Sequence, residues 1–455
     1  MSQSLRAVVA AVSLAAAVPV AAADTLDWNR RANRVDAEIT AWPLPRVLRT
    51  ITTATGWQVY VEPGTEHTVS TTFHDVEPAE ALRRLLGDLD FALLPQTDGS
   101  SKLFVYRHSV DAATELVRSE TRKSRPMPNE LLVVLKRGAA ERLAKRGDLE
   151  IVARLDEIGA YRLRFRDEAA ARKARAALER DQDVESIETN VELAAPAVLE
   201  PLALGSPPAP PLQPDLSPST DKVIVGLIDT AVQADASIPK AFLQPPVAVA
   251  GEYQPPAGEI THGTAMAETI LDGAARALVE SGDASRRLPL VILPVDVYGA
   301  SETTNTFDVA RGLFEALDRH ANVVNMSLSG ADQSPLLQRM IANAADHGVL
   351  VFAAAGNTPG TTPTYPAADP DVIAVTAADA SGKVAPWANR GTFVDAIAPG
   401  TNVVHFDDRA WLGTGTSFST SWVSGWGAGF MASSADSSAA TRERTLGRWG
   451  IGAGR

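Results

Sequence analysis

The 455-residue sequence contains no cysteine. That absence removes disulfides, thiolate-ligated zinc, iron–sulfur clusters and a thiol nucleophile at once, and leaves oxygen and imidazole groups for any chemistry. Basic charge is also short: 42 Lys and Arg stand against 55 Asp and Glu, a net charge of −13. A chain of that sign lacks the clustered cations that a phosphate backbone recruits, so no nucleic-acid partner is expected. After residue 23 no run of about 20 apolar residues occurs, so no integral membrane segment is expected in the mature chain. Ordinary hydrophobic and charged fractions, 45% and 21%, exclude a wholly disordered or collagen-like chain. The length predicts two to four domains at about 100–200 residues each.

The N-terminus reads as an export signal. Arg6 supplies the positive start, residues 7–23 are apolar, and Ala21-Ala22-Ala23 before Asp24 is small-residue cleavage chemistry. A transmembrane helix fits less well, because the run is short and mostly alanine. The chain is therefore expected to be exported, to the periplasm or beyond.

Residues 24–110 read as a small α+β unit. Leu44, Val47, Leu48 and Ile51 recur at helical spacing, 57–61 and 68–73 alternate like strands, and Leu82, Leu85, Leu86 and Leu89 mark a second helix. Strands at 91–95 and 103–106 flank Asp98-Gly99, a hairpin signal. The run "EPAEALRRLLGDLDFAL" resembles the short N-terminal domain of secretins and TonB-dependent receptors, which implies a docking module for an envelope protein partner. The alternative is an αβ sandwich of unassigned use.

Residues 129–193 form a second small α+β unit in the order β-α-β-β-α-β, with strands at 131–135, 151–155, 160–165 and 184–187 and helices at 139–145 and 168–179. This is the ferredoxin-like arrangement. "NELLVVLKRG" and "VESIETNVEL" resemble the inhibitory propeptide of subtilisin-type peptidases. Residues 194–220 hold eight prolines and no periodicity, the composition of an extended, poorly packed linker.

From residue 221 short apolar runs alternate with helical patterns. The runs at 223–228, 290–295, 323–328, 349–354 and 372–375 lack polar alternation, as strands buried on both faces do. Helices are expected at 307–320 and 334–346. The fold class is α/β, a parallel sheet covered on both sides, and such sheets carry their sites at the carboxyl ends of strands. Asp229 ends the run "VIVGLID". His262 opens "THGTAMAETILDG", Asn357 follows "VLVFAAAGN", and Ser417 lies in "GTGTSFSTSWVSG" where small residues give way to a helix. A serine hydroxyl needs a base within hydrogen-bond reach, and imidazole can take and return that proton near neutrality.

The chain order Asp, His, Ser is that of the subtilisin triad and differs from the Ser…Asp…His order of α/β-hydrolases. With "VIVGLIDT", "THGTAMAE", "NVVNMSLSG", "AAAGN", "TYPAADPDVIAVTA" and "GTSFST" in family order, residues 221–455 resemble a subtilisin-like serine peptidase domain. The resemblance implies Asp229, His262 and Ser417 as the triad, Asn357 as oxyanion donor, and Ser327-Leu328-Ser329 as the strand that pairs with a protein or peptide substrate. Tyr365-Pro366-Ala367 would form the far side of the primary pocket. It further implies self-cleavage within 194–220, with residues 129–193 as the chain's own inhibitor.

Departures accompany the likeness. Ala231 stands where the family usually has glycine, Ser329 where glycine is common, and Ser421 where proline is usual. No cofactor is expected, and no Asp-rich loop has a spacing that would locate a structural calcium. His320, His347 and His405 read as surface or structural residues, Phe352 as core, and His67 and His74 form no metal-ligand pattern. The rival reading is a catalytically weak or inactive periplasmic binding or signalling protein that uses the peptidase fold to hold peptides. An esterase with the same triad is a third.

Overall fold

The computed structural model describes residues 24–451 except 30–33, 56, 63, 96–100, 114, 118–123, 137, 138, 140–147, 195–198, 202–212, 216–221, 236, 237, 257, 283–286, 302 and 435. The expected signal, most of the helix expected at 139–145, the Asp98-Gly99 turn and most of the 194–220 stretch lie outside the described residues. Contacts divide the chain into two units, 1–120 and 121–455.

In the first unit the helix Leu44–Thr55 buries Leu44, Val47, Leu48 and Ile51 completely, as their spacing requires. The helix Pro78–Leu86 buries Leu82, Leu85 and Leu86. These pack on two sheets. One is antiparallel, formed by Thr25–Asn29, Arg34–Pro43 and Thr68–Val76. In the other, Ser101–Tyr106 pairs antiparallel with Asp90–Pro95 and parallel with Gln58–Val61. That parallel pairing is long-range, and no local turn signal announces it.

The second unit holds a five-stranded antiparallel sheet in the spatial order Thr303–Asn305, Val184–Ala194, Arg125–Leu135, Ala160–Arg164, Glu150–Leu155. The helix Glu168–Leu178 packs on it through Ala171, Ala174 and Leu178. Its larger partner is a seven-stranded sheet, parallel throughout. The order is Val247–Ala248, Leu290–Asp296, Val223–Asp229, Val323–Met326, Leu350–Ala354, Val372–Ala378, Ala396–Pro399.

The pleat sends Val223, Val225 and Leu227 to one face, where the helices His262–Glu280, Thr416–Ser434 and Ser438–Trp449 cover them. Ile224 and Ile228 face the other side, with the helices Thr306–Asp318 and Pro335–Asp346. Both faces are thus apolar, which is why these strands read as unbroken hydrophobic runs.

The strand Val223–Asp229 is flanked on one side by the next long strand of the sheet, Leu290–Asp296, and on the other by Val323–Met326. The connections therefore reverse direction across it. Its carboxyl end is a topological switch point, where open α/β sheets leave a crevice.

Two expectations are corrected here. The strand expected at 323–328 ends at Met326, so Ser327 and Leu328 lie just beyond it. The proline-rich stretch is anchored in its described parts rather than poorly packed. Leu199 is buried in the core beneath the seven-stranded sheet, Glu200–Pro201 pairs with Trp411 and Leu412, and Gln213–Pro214 pairs with Arg287–Leu288. Short edge pairings accept proline because the missing N–H is not required by the ladder.

Candidate active site

Asp229 occupies the last position of its strand, opposite Asp296 of the neighbouring one. Both are buried, and burial, reinforced by the nearby Asp229 charge, pushes the Asp296 carboxyl up despite N–H donors at Tyr298 and Gly299. His262 is the first residue of the helix His262–Glu280. Thr261 caps that helix, its hydroxyl accepting from Thr264 N–H. Gly263 then brings the helix end against the Asp229 loop: its N–H donates to Thr230 Oγ1 at 2.8 Å, and a Cβ there would lie 2.1 Å from the Thr230 carbonyl oxygen. Only glycine permits that approach.

The result is a directed contact. His262 Nδ1 lies 2.8 Å from Asp229 Oδ1 and 3.0 Å from Oδ2, while Asp229 Oδ1 also accepts from Thr230 N–H at 2.7 Å. A carboxylate holding Nδ1–H leaves Nε2 unprotonated and able to act as base.

Ser417 is the second residue of the helix Thr416–Ser434, where main-chain N–H groups lack intrahelical acceptors and the helix dipole is positive. The helix sits close to the His262 helix because Gly425 faces it; a Cβ on Gly425 would meet the Ile270 carbonyl oxygen at 2.1 Å. The Phe418 ring stands edge-on to the His262 imidazole, centroids 6.5 Å apart. Ser417 Oγ donates to the Ser327 carbonyl at 3.4 Å, and no hydrogen bond within 3.5 Å joins it to His262. Nucleophile–base bonds are commonly loose before substrate arrives and tighten in the complex.

Asn357 anchors its side-chain oxygen on Thr416, accepting from the backbone N–H at 2.8 Å and from Oγ1 at 3.1 Å. Its NH2 group is left as a donor, and Thr416 directly precedes Ser417 in the chain.

Ser327 and Leu328 are buried and Ser329 is exposed. Ser327 Oγ donates to the Ser417 carbonyl at 3.3 Å and lies 3.4 Å from Ser421 Oγ. Leu328 packs into the core and, with Gly330, Tyr365 and Pro366, lines a cavity. Gly330 bridges to Tyr365, whose bond to Pro366 is cis.

The departures are absorbed. Ala231 keeps an ordinary backbone conformation and its carbonyl accepts from Thr261 Oγ1 at 2.6 Å. Ser421 is fully buried inside its helix with its hydroxyl on Met266 Sδ. Phe352 is core. His320 and His347 end helices, and among the described residues no group of three or more His, Asp or Glu could hold a metal ion. No helix among them is long and apolar enough to cross a membrane.

Sequence reasoning missed Thr416 as the residue that orients Asn357, and it missed Glu268. Glu268 is buried and binds His405. Thr261 could have been found as a cap, since Thr directly precedes the helical run.

Residues 220–447 match the Subtilase family, and residues 113–190 match the Fervidolysin N-terminal prodomain. The chain is similar to the Thermophilic serine proteinase of Bacillus sp. (strain AK1), 33% identical over 31% of this chain and 35% of that protein. It is also similar to Subtilisin amylosacchariticus of Bacillus subtilis subsp. amylosacchariticus, 31% identical over 45% of this chain and 54% of that protein. The Alkaline protease of Alkalihalobacillus alcalophilus is 33% identical over 31% and 36% respectively. The matches thus span from about a third to about half the length of these relatives.

Proposed function

This chain belongs to the subtilase family, and from that premise we propose that it is an exported serine endopeptidase that cuts peptide bonds through an acyl-enzyme on Ser417. The observation that carries the reading is the grip of Asp229 on His262 Nδ1 through both carboxylate oxygens, which fixes the ring tautomer the reaction needs. In this reading His262 Nε2 takes the Ser417 proton as Oγ attacks the substrate carbonyl. The Asn357 NH2 and Ser417 N–H hold the oxyanion, and His262 returns the proton to the leaving amine. Substrate would lie along Ser327, Leu328 and Ser329.

Residues 129–193 act, in this proposal, as the chain's own inhibitor, removed by self-cleavage within 194–220. Three contacts favour that role. The strand Val184–Ala194 pairs antiparallel with Thr303–Asn305 of the peptidase part, through Glu192, Leu193 and Ala194. Leu193 packs against Gly330, next to Ser329. Glu188 Oε1 accepts from Ser334 Oγ and Leu336 N–H at the start of the helix Pro335–Asp346. Residues 24–110 are proposed as a docking module for an envelope partner.

The test is Ser417→Ala in the full chain. The parent should take a fluorophosphonate probe at Ser417 and yield a fragment of about half the chain length. The variant should fold, remain unlabelled and stay full-length; a variant that is still processed would remove autocatalysis from the proposal.

A further inference from the structure

The helix that begins with His262 carries a second carboxylate–histidine pair that the peptidase chemistry does not use. Six residues beyond His262, Glu268 is 7% exposed. Its Oε2 accepts from the backbone N–H of His405 at 2.8 Å, and its Oε1 lies 3.2 Å from His405 Nδ1. His405 belongs to the strand Thr401–Phe406, which pairs with Arg409–Thr414, and that strand runs through Gly415 into the Ser417 helix. The same two elements are joined again by Asn402, whose NH2 donates to Thr269 Oγ1 at 3.1 Å and reaches Asp272 Oδ2 at 3.5 Å. The element that presents the base and the hairpin that delivers the nucleophile are thus bolted together by side chains, away from the reacting atoms.

Resting on the peptidase reading above, we propose that Glu268 is a positioning residue for that reaction: by holding His405 through both its carboxylate oxygens, it sets the His262 helix against the hairpin that leads into Ser417. A well-packed apolar side chain would glue the two elements equally well but without direction. A carboxylate bonded to one N–H and one ring nitrogen fixes the slide of the helix along the strand, and a misplacement near 1 Å at the reacting groups is enough to cost about 10²-fold in rate.

Other charged groups face this pair from the elements packed around it. Asp272 is the other acid facing it from the same helix, and His405 is the group facing it from the hairpin strand. The Ser417 helix contains no titratable residue, Val223–Asp229 contributes only Asp229, and Arg287–Leu288 contributes Arg287. Burial pushes Glu268 up to about 7, against the pull of the His405 contacts, and Asp272 up to about 6.

The experiment compares the full-length parent with Glu268→Ala, Glu268→Gln and His405→Ala, reading kcat per fluorophosphonate-titrated site separately from KM. Glu268→Ala should lower kcat per titrated site by about 10- to 100-fold with KM little changed. Glu268→Gln should restore most of it, because the amide oxygen still accepts from His405 N–H and the amide NH2 can donate to a neutral Nδ1. His405→Ala should lower kcat in the same sense as Glu268→Ala, and it decides the matter if the latter does not fold. Parent-like kcat per titrated site in Glu268→Ala or His405→Ala overturns the inference, as does a Gln variant that stays folded yet is as slow as Ala. A parent that neither cleaves peptide nor takes the probe defeats the peptidase reading beneath it; a parent that does both while the variants match it defeats only this step.

Discussion

Two carboxylate–histidine pairs lie along one helix, and they differ in what the carboxylate holds. Asp229 receives a single ring nitrogen on both oxygens, at 2.8 and 3.0 Å, so it orients a side chain and leaves the ring's other nitrogen open. Glu268 divides its oxygens between a backbone N–H and a ring nitrogen of His405, so it orients a piece of main chain. The first arrangement suits a proton relay and the second a brace. Burial and a histidine partner alone do not distinguish them; the atoms contacted do.

The largest expected effect separates the two pairs by chemistry. Asp229→Asn should keep the geometry but favour the wrong imidazole tautomer, lowering kcat by about 10⁴-fold with KM nearly unchanged. Steady-state peptide hydrolysis measures it. Glu268→Gln, the equivalent change in the second pair, should fall far short of that loss. Equal losses would mean that the pairs do not differ in kind.

The pairs also differ in how legible they were. Asp229 and His262 end and begin elements and Asn357 and Ser417 lie close to element ends, all inside short runs whose resemblance to a known family named them as a set. Even there the sequence was silent on Thr416 as the anchor of Asn357, and on a Ser417 hydroxyl resting on the Ser327 carbonyl. Glu268 and His405 stand 137 positions apart, one within an alanine-rich helix and the other in a strand of alternating burial. Nothing local marks either. Fold legibility divides the same way. Buried parallel strands announced themselves by unbroken hydrophobicity, whereas the two-residue strands Glu200–Pro201 and Gln213–Pro214 were hidden in proline-rich sequence because tertiary contact alone defines them.

An intermediate effect is expected where the inhibitor-like sheet meets the peptidase part. Glu188 caps a helix of the other part by accepting from Ser334 Oγ and Leu336 N–H, while burial pushes its own carboxyl up. Glu188→Ala should remove about 1 kcal/mol of cap energy, seen as a fall of about 1 °C in the melting temperature of the full chain. Peptide hydrolysis by the unprocessed chain should rise as the cover loosens. A lower melting temperature with no rise in hydrolysis would leave Glu188 a structural cap and remove it from inhibition.

The smallest effect is a slope, and it sharpens the contrast between brace and relay. Glu268 and Asp272 are raised by burial from ordinary values of 4.5 and 3.8 to about 7 and about 6. A carboxyl raised in the folded state binds more protons there than in the unfolded chain between the two values. The stability it confers is therefore complete below about pH 4 and is lost as pH climbs through 6 and 7. The opposite pull of Glu62 and Glu280, both lowered to about 2, is finished below about pH 5 and leaves the upper window clear. The melting temperature of the parent should thus decline from pH 5 to 7.5. Asp369, also raised to about 6 by burial, and the raised Glu188, Asp296 and Asp308 add to the decline, so Glu268→Gln should flatten it only in part, most clearly between pH 6 and 7.5 where Glu268 titrates. A decline of unchanged steepness in the Gln variant would show that the carboxyl at 268 titrates where an exposed one does, and the burial that makes it a brace would have to be given up.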